Sequence, residues 1–283
     1  MRGGEARSWF GLSDPPAAAA AEPAPASPRW PADRLAAVEA LWGSGFCGPG
    51  GAPETLRLCK PLALTASNNL LLLGGGLGGP AGAITDGTGA QIDNYECDAE
   101  LAAAAERRLR AHPAAAKLRV RGFDRAHPSF KARGANHALA MEVARGADLP
   151  TILEAVAAAL RPRGQIVLTE LVADVAAPET DREYAAWCRL ENRLPALPRP
   201  DAVSAALTRL RFDIQAAEDV SDRHVAATLA GWRGAVKSMA DGPRPSAAAA
   251  SVIVTEAELW LLRIRLMRRF GIRLMRWHAI GAA

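Results

Sequence analysis

The chain has 283 residues, of which 49% are hydrophobic, enough to bury the core of one large α/β domain with additions. Its net charge of +4 is too small a surplus to argue for nucleic acid, no aromatic–basic interleaving suggests a single-strand platform, and the mildly basic balance suits an anionic substrate. No apolar run approaches the ~18 residues of a membrane span, the first residues lack the apolar region of a secretory leader, and Cys47, Cys59, Cys97 and Cys188 form neither a CxxC pair nor a cluster at metal spacing. These features predict a soluble cytoplasmic protein with free thiols and no metal.

Residues 1–29 contain AAAAAEPAPASP, which buries too little to repay ordering, so a disordered Ala/Pro-rich arm is expected there. Structure is expected to begin at Trp30–Pro31, with Leu35, Val38, Leu41 and Trp42 on one helical face. A glycine/proline loop at Gly43–Pro53 and a short helical piece at 54–66 complete an N-terminal helical cap over 30–66. Leu70–Leu73 is wholly apolar, as a strand buried on both faces would be. Gly79–Ile84 opens a helix, Ala90–Glu96 reads as a second strand, Ala99–Ala111 as a helix and Lys117–Arg121 as a third strand. Ala135–Met141 is a weaker fourth strand, Leu149–Leu160 an amphipathic helix stopped by RPRG, and Gly164–Leu171 the clearest strand of all. Strands alternating with helices predict a parallel sheet covered on both faces.

Past Val172 the rhythm changes. Thr180–Leu194 and Asp201–Leu210 read as helices of an insertion spanning about 175–211. A strand at Phe212–Asp219, a helix at Ser221–Met239 and a break at Asp241–Pro245 follow. A long helix at Ala247–Arg269 carries Ile253, Ala257, Trp260, Leu261, Ile264 and Met267 on one face, Gly271 caps it, and Ile272–Ile280 is a last strand.

The stretch LLLLGGGLGGPAGAI (Leu70–Ile84) places a buried strand, then glycines, then a helix start in succession. Glycine permits positive φ and close approach of a ligand to backbone, and the following helix directs free N–H groups to the same place. Glu96 falls 18 residues after Gly78 at the predicted end of the second strand, where a carboxylate can accept from both hydroxyls of a ribose. Gly74, Gly76 and Gly79 also satisfy GxGxxG, so a dinucleotide stays open, although no Tyr-x-x-x-Lys pair follows the fourth strand.

Together with IDNYECDAELAAAAERRL, RVRGFD, LRPRGQIVLTELV and IRLMRWHAI, this stretch resembles the class I S-adenosylmethionine-dependent methyltransferases, of the type 11/12-like kind. The resemblance implies an α/β, Rossmann-like, doubly wound fold over 67–283. Its sheet would have seven strands, mostly parallel, with an antiparallel C-terminal strand. It implies S-adenosylmethionine as cofactor, with Gly74, Gly76 and Gly78 beneath its amino-acid portion, Glu96 on the ribose, Cys97 beside the adenine, Asp124 accepting from the adenine amine and Phe123 in apolar contact. It also implies a small-molecule or lipid acceptor. Two positions depart from the family pattern: Leu72 and Asn136 stand where acids are usual, which would remove charge near the methionine moiety.

The acceptor side is read from fewer residues. Glu142 follows the fourth strand, either holding a substrate cation or water as the catalytic group or lying as a solvated loop glutamate. His137 is either a core histidine or a base. Tyr184 and Trp187 share a helical face in the insertion, as an acceptor wall or as core. Trp232 reads the same way. Arg263, Arg265, Arg268, Arg269, Arg273 and Arg276 make the last helix and strand basic, either as a solvated face or as a peripheral contact with an anionic membrane. Two functions follow: a methyltransferase, or a methyltransferase-like binding or scaffold protein without turnover. The residues do not indicate an oligomeric state.

Overall fold

A computed structural model describes residues 29–178 and 180–283, so the expected arm lies outside the described residues apart from Arg29. The chain opens with α1 (Ala32–Trp42) and α2 (Gly51–Cys59). There follow β1 (Asn69–Leu73), α3 (Gly79–Thr88), β2 (Gln91–Glu96), α4 (Ala99–Arg110), β3 (Leu118–Gly122), β4 (Ala135–Met141), α5 (Leu149–Ala159) and β5 (Leu160–Val172). The C-terminal part adds α6 (Arg182–Glu191), α7 (Pro200–Arg209), β6 (Phe212–Asp219), α8 (Ser221–Asp241), α9 (Ala247–Phe270) and β7 (Arg273–Gly281).

The strands form one sheet of seven in the order β3-β2-β1-β4-β5-β7-β6. The pairings from β3 through to β5 are parallel, and β7 lies antiparallel between β5 and β6. This is the expected doubly wound sheet, and the leucine run explains how it is held. Leu70 and Leu72 point to one face and pack with Ala81 and Ile84 of α3, while Leu71 and Leu73 point to the other and join the cluster of Ile152 and Val156 from α5. A strand with helices on both faces has no polar side, so the usual alternation vanishes.

Two local expectations are corrected. The helix does stop before RPRG, at Ala159, but β5 starts at Leu160 and not at Gly164: Leu160 already pairs with Ala135, and the register shifts before His137 pairs with Gln165. Arg163, at φ 60, accommodates this irregularity in the strand. On α9, Leu261 is half exposed, whereas Arg263 is buried on the apolar stripe between Trp260 and Met267. Gly271, at φ 62, ends that helix in the left-handed conformation, as expected of its cap.

Candidate active site

The site starts at the carboxyl end of β1. Gly74 has φ 76, its N–H donates to Tyr95 O, and a Cβ there would lie 2.4 Å from the Met141 carbonyl oxygen, so only glycine fits. The turn then delivers the Gly76 N–H to Glu96 Oε2 at 3.0 Å. Glu96, buried at the end of β2, accepts at Oε1 from Cys97 N (2.9 Å) and Asp98 N (3.2 Å). Its own carbonyl accepts from Phe123 N, just past β3. The ends of β1, β2 and β3 are thus tied together beside the β1/β4 switch point, where open α/β sheets bind ligands.

A cavity of about 210 Å³ opens over this place. Its floor is Gly74–Gly76 with Met141 and Glu142 at the end of β4. Its far wall comes from α8 and α9, through His224, Trp260 and Arg263. Its edge is the segment entering α1: Arg29 reaches Asp98 Oδ2 (3.4 Å) and Glu191 O (2.6 Å), and the Trp30 indole N–H donates to Asp98 Oδ2 (2.9 Å). Asp98 also caps α4, so one carboxylate anchors both the helix and this strap.

Buried charge surrounds the cavity. Arg263 donates to both oxygens of Glu142 (2.8 and 2.7 Å) and to Glu191 Oε1 (2.9 Å), and Arg193 holds the other Glu191 oxygen at 3.2 Å. Burial alone would push the Glu191 carboxyl up, but the charges of Arg263, Arg193 and Arg145 hold it well below the usual carboxylate range. Glu170 of β5 shows the opposite balance, because burial outweighs Arg193 and raises it to about 7. Burial and the Arg263 charge push His224 well below its ordinary value, and among the described residues its Nε2 has no hydrogen-bond partner.

The residues singled out in the sequence are distributed unevenly about this cavity. Gly74, Gly76 and Glu142 line it or its floor, and Gly78, at φ 90, is the N-cap of α3 just behind the turn. Glu96 is bound to that floor through Gly76. Cys97 lies beside it, its thiol 3.3 Å from Glu96 Oε1 and raised to about 11, first by burial and then by the Glu96 charge. Phe123 packs on Phe130, and Asp124 is exposed, accepting from Ala126 N (2.8 Å) and pairing with His127 (3.1 Å). Neither Phe123 nor Asp124 lines the cavity.

For His137, Tyr184 and Trp187 the packed alternative is the one found, and Glu142, Asn136 and Leu72 have neighbours that the sequence did not indicate. Glu142 is a partly buried ion-pair partner, both its oxygens accepting from Arg263 Nη2. His137 pairs with Leu70 and Gln165 toward the start of the parallel strands, away from their carboxyl ends, and its Nδ1 accepts from Gln165 N. Tyr184 and Trp187 are fully buried in the cluster formed by α6, α9 and β7, with the Tyr184 hydroxyl bonded to Pro195 O. Asn136 does not remove charge from the cavity. It stands at the start of β4, where its side-chain oxygen accepts from Asn69 N (2.8 Å). Leu72 is wholly buried among apolar neighbours of α3, so core packing occupies the place of the missing acid.

The basic C-terminal block is largely occupied within the chain. Arg263 is paired as above, Arg265 and Arg269 reach Glu183, Arg269 also reaches Asp181, Arg273 reaches Asp174 and Arg276 reaches Glu218. Arg29, Arg145, His224 and Glu191 were not anticipated at the site. Arg263 had a legible signal, an arginine on an apolar stripe, whereas Arg29 before α1, Arg145 after β4, Glu191 of α6 and His224 of α8 are brought together only by tertiary packing.

No protein-family model matches the chain, and no curated protein matches it. Solved structures do. The chain is similar to the Haemonchus contortus phosphoethanolamine N-methyltransferase 2 solved with phosphomonomethylethanolamine and S-adenosylhomocysteine, with a TM-score of 0.77 at 17% identity. That match covers 90% of this chain and 59% of that one, so the chain spans little more than half of that relative's length. The fold is the class I methyltransferase fold. A geranyl diphosphate C-methyltransferase from Streptomyces coelicolor A3(2) matches at TM-score 0.63 and 14% identity, over 81% of this chain and 75% of that one. The [4+2]-cyclase SpnF matches at 0.67 and 15%, over 89% and 94%. A cyclase among the neighbours shows that the fold alone does not determine the reaction. No described helix is long and apolar enough to cross a membrane, and no group of acids, histidines or cysteines among the described residues could hold a metal.

Proposed function

We propose that this protein is an S-adenosylmethionine-dependent methyltransferase acting on a small molecule. The observation that carries the reading is the coupling of the glycine turn to Glu96: a buried carboxylate fixed by three backbone N–H groups, one of them from the turn, beside a cavity at the switch point. The residues fit the cofactor. Among the described residues Glu96 Oε2 accepts only from Gly76 and keeps a lone pair for a ribose hydroxyl, and the bare Gly74–Gly76 backbone forms the cavity floor. Bound there, the sulfonium would supply an already activated methyl group.

The chain's own contribution is then placement and exclusion of water. Glu96 and the turn fix the nucleoside. Trp30, Trp260 and the neighbouring residues of α8 and α9 close the cavity around the acceptor. His224 in the cavity wall, shifted well below its ordinary value and unpartnered at Nε2 among the described residues, is the group able to take a proton from an acceptor that must lose one. The 30–66 cap and the insertion over about 175–211 serve as the walls of this site. A lipid acceptor and contact of the C-terminal block with a membrane are less well supported, because the arginines Arg263, Arg265, Arg269, Arg273 and Arg276 are already paired.

Calorimetry with S-adenosylmethionine tests the reading. The parent chain is expected to bind and Glu96→Gln to bind on the order of tenfold more weakly or worse. A parent that ignores the cofactor leaves the scaffold reading, which the loss of the acid at Leu72 favours, in its place.

A further inference from the structure

The carboxylates at the cavity are all engaged. Glu54 is paired with Arg223 (2.9 Å), Glu256 with Arg34 (2.7 Å), and Glu142 and Glu191 with Arg263. The two lining tryptophans already carry a guanidinium: that of Arg34 lies 4.2 Å from the centre of the Trp30 ring, and that of Arg263 5.3 Å from Trp260. A cation on the acceptor would compete with a guanidinium for each of these carboxylates.

Arg29 pairs with Asp98 at 3.4 Å, whereas Arg145 feels the charges of Glu191, Glu96 and Glu142 without an ion pair to any of them. Arg145, which follows β4, lines the cavity and makes no ion pair among the described residues. Its side-chain bond is Nη1 to the Glu191 carbonyl oxygen at 3.1 Å, which leaves most of its N–H donors unassigned. Arg29 donates to the same carbonyl at 2.6 Å, so two partly buried guanidinium groups converge on one neutral acceptor. Their backbones are held there independently. The Arg145 carbonyl accepts from Leu194 N, and Trp30, next to Arg29, is fixed to Asp98 through its indole N–H.

We propose that Arg29 and Arg145 form a clamp for an oxyanion, a carboxylate or phosphate group seated between their guanidinium groups at the cavity edge. The inference rests on the reading of this cavity as the ligand site and deepens it. Planar forks suit bidentate recognition of such oxyanions. An anion between the two groups also relieves their mutual repulsion. Arg29 is already lowered to about 10, first by burial and then by the Arg145 charge. The oxyanion has two sources: the amino-acid carboxylate of the cofactor, or an anionic group on the acceptor.

Calorimetry on the full chain, Arg145→Gln and Arg29→Gln separates them with three probes: S-adenosylhomocysteine, 5′-methylthioadenosine, which lacks the amino-acid tail, and inorganic phosphate. Each substitution is expected to weaken one oxyanion probe on the order of ten- to a hundredfold. Loss of S-adenosylhomocysteine with 5′-methylthioadenosine unchanged assigns the clamp to the cofactor. Loss of phosphate with S-adenosylhomocysteine unchanged assigns it to the acceptor. Variants that hold every probe as the parent does overturn the clamp, and so does equal loss of both nucleosides. A parent that ignores both nucleosides but binds phosphate through these arginines keeps the clamp and removes the cofactor reading. A parent that ignores all three removes both. Should circular dichroism show Arg145→Gln unfolded, Arg29→Gln, whose side chain is 22% exposed, decides the matter.

Discussion

Replacing Arg263 by methionine keeps an unbranched apolar stem against Trp260 but removes the cation shared by two carboxylates. Arg263 is 4% exposed, and its three contacts with Glu142 and Glu191 are 2.7–2.9 Å long. Removing one partner of a buried ion pair costs about 3–5 kcal/mol, because the remaining charge stays buried. Glu191 retains Arg193 at 3.2 Å, and the Glu142 side chain is 27% exposed, so a loss of about 3 kcal/mol at pH 7, the lower end of that range, is expected. That is a large part of the ~5–15 kcal/mol of a typical domain.

The loss also depends on pH with a definite sign. In the parent the Glu191 carboxyl titrates below its unfolded value, so its stabilisation is present above that value and disappears as pH falls through the folded one. Without Arg263 burial gains weight and the folded carboxyl moves upward. The variant is then most handicapped where the group must be ionised. The gap between parent and variant is therefore widest at pH 7 and narrows toward pH 4. Urea unfolding followed by tryptophan fluorescence at both pH values measures it, and adding Glu191→Gln to the variant should recover part of the loss. Equal midpoints at pH 7, or a gap that does not change with pH, would refute the reasoning.

Gly74→Ala should lose at least about 1–2 kcal/mol from left-handed strain alone, and the Met141 carbonyl 2.4 Å from the new Cβ adds to it; an unchanged urea midpoint would sink this. Trp187→Ala should cost about 3–5 kcal/mol as a large-to-small core change, while Trp187→Phe keeps S-adenosylmethionine affinity, since Trp187 is wholly buried away from the cavity; selective loss of binding in Trp187→Phe would restore a substrate role. Glu170 is raised to about 7 by burial, so its contribution is fully present at acid pH and declines as pH rises through about 7. Glu170→Gln should remove that decline between pH 5 and pH 8, and parallel pH–stability curves for parent and variant would contradict it.

Much of the architecture was readable along the chain, because its signals are local. Leu70–Leu73 had to be doubly buried, Gly271 had to end a helix, and β7 ran as a strand after the long helix, as expected. Errors arose where pairing overrode local chemistry: RPRG carries turn residues, yet neighbouring β4 draws it into the sheet. Tyr184 and Trp187 had the right spacing for a shared face, but spacing does not say what that face meets, and here it meets α9 and β7.

The succession of strand, glycine turn and carboxylate was determined by sequence alone, because backbone conformation at Gly74 and the placement of Glu96 at a strand end follow from neighbours a few positions away. Only the tertiary structure decided the other half of the site. Arg29, Arg145, Glu191 and Arg263 are remote from one another in the chain, and they meet because α6 and α9 pack over the carboxyl ends of β1 and β4. Which buried charges end up paired, and which are left for a ligand, depends on distances of a few ångströms between helices that no periodicity encodes.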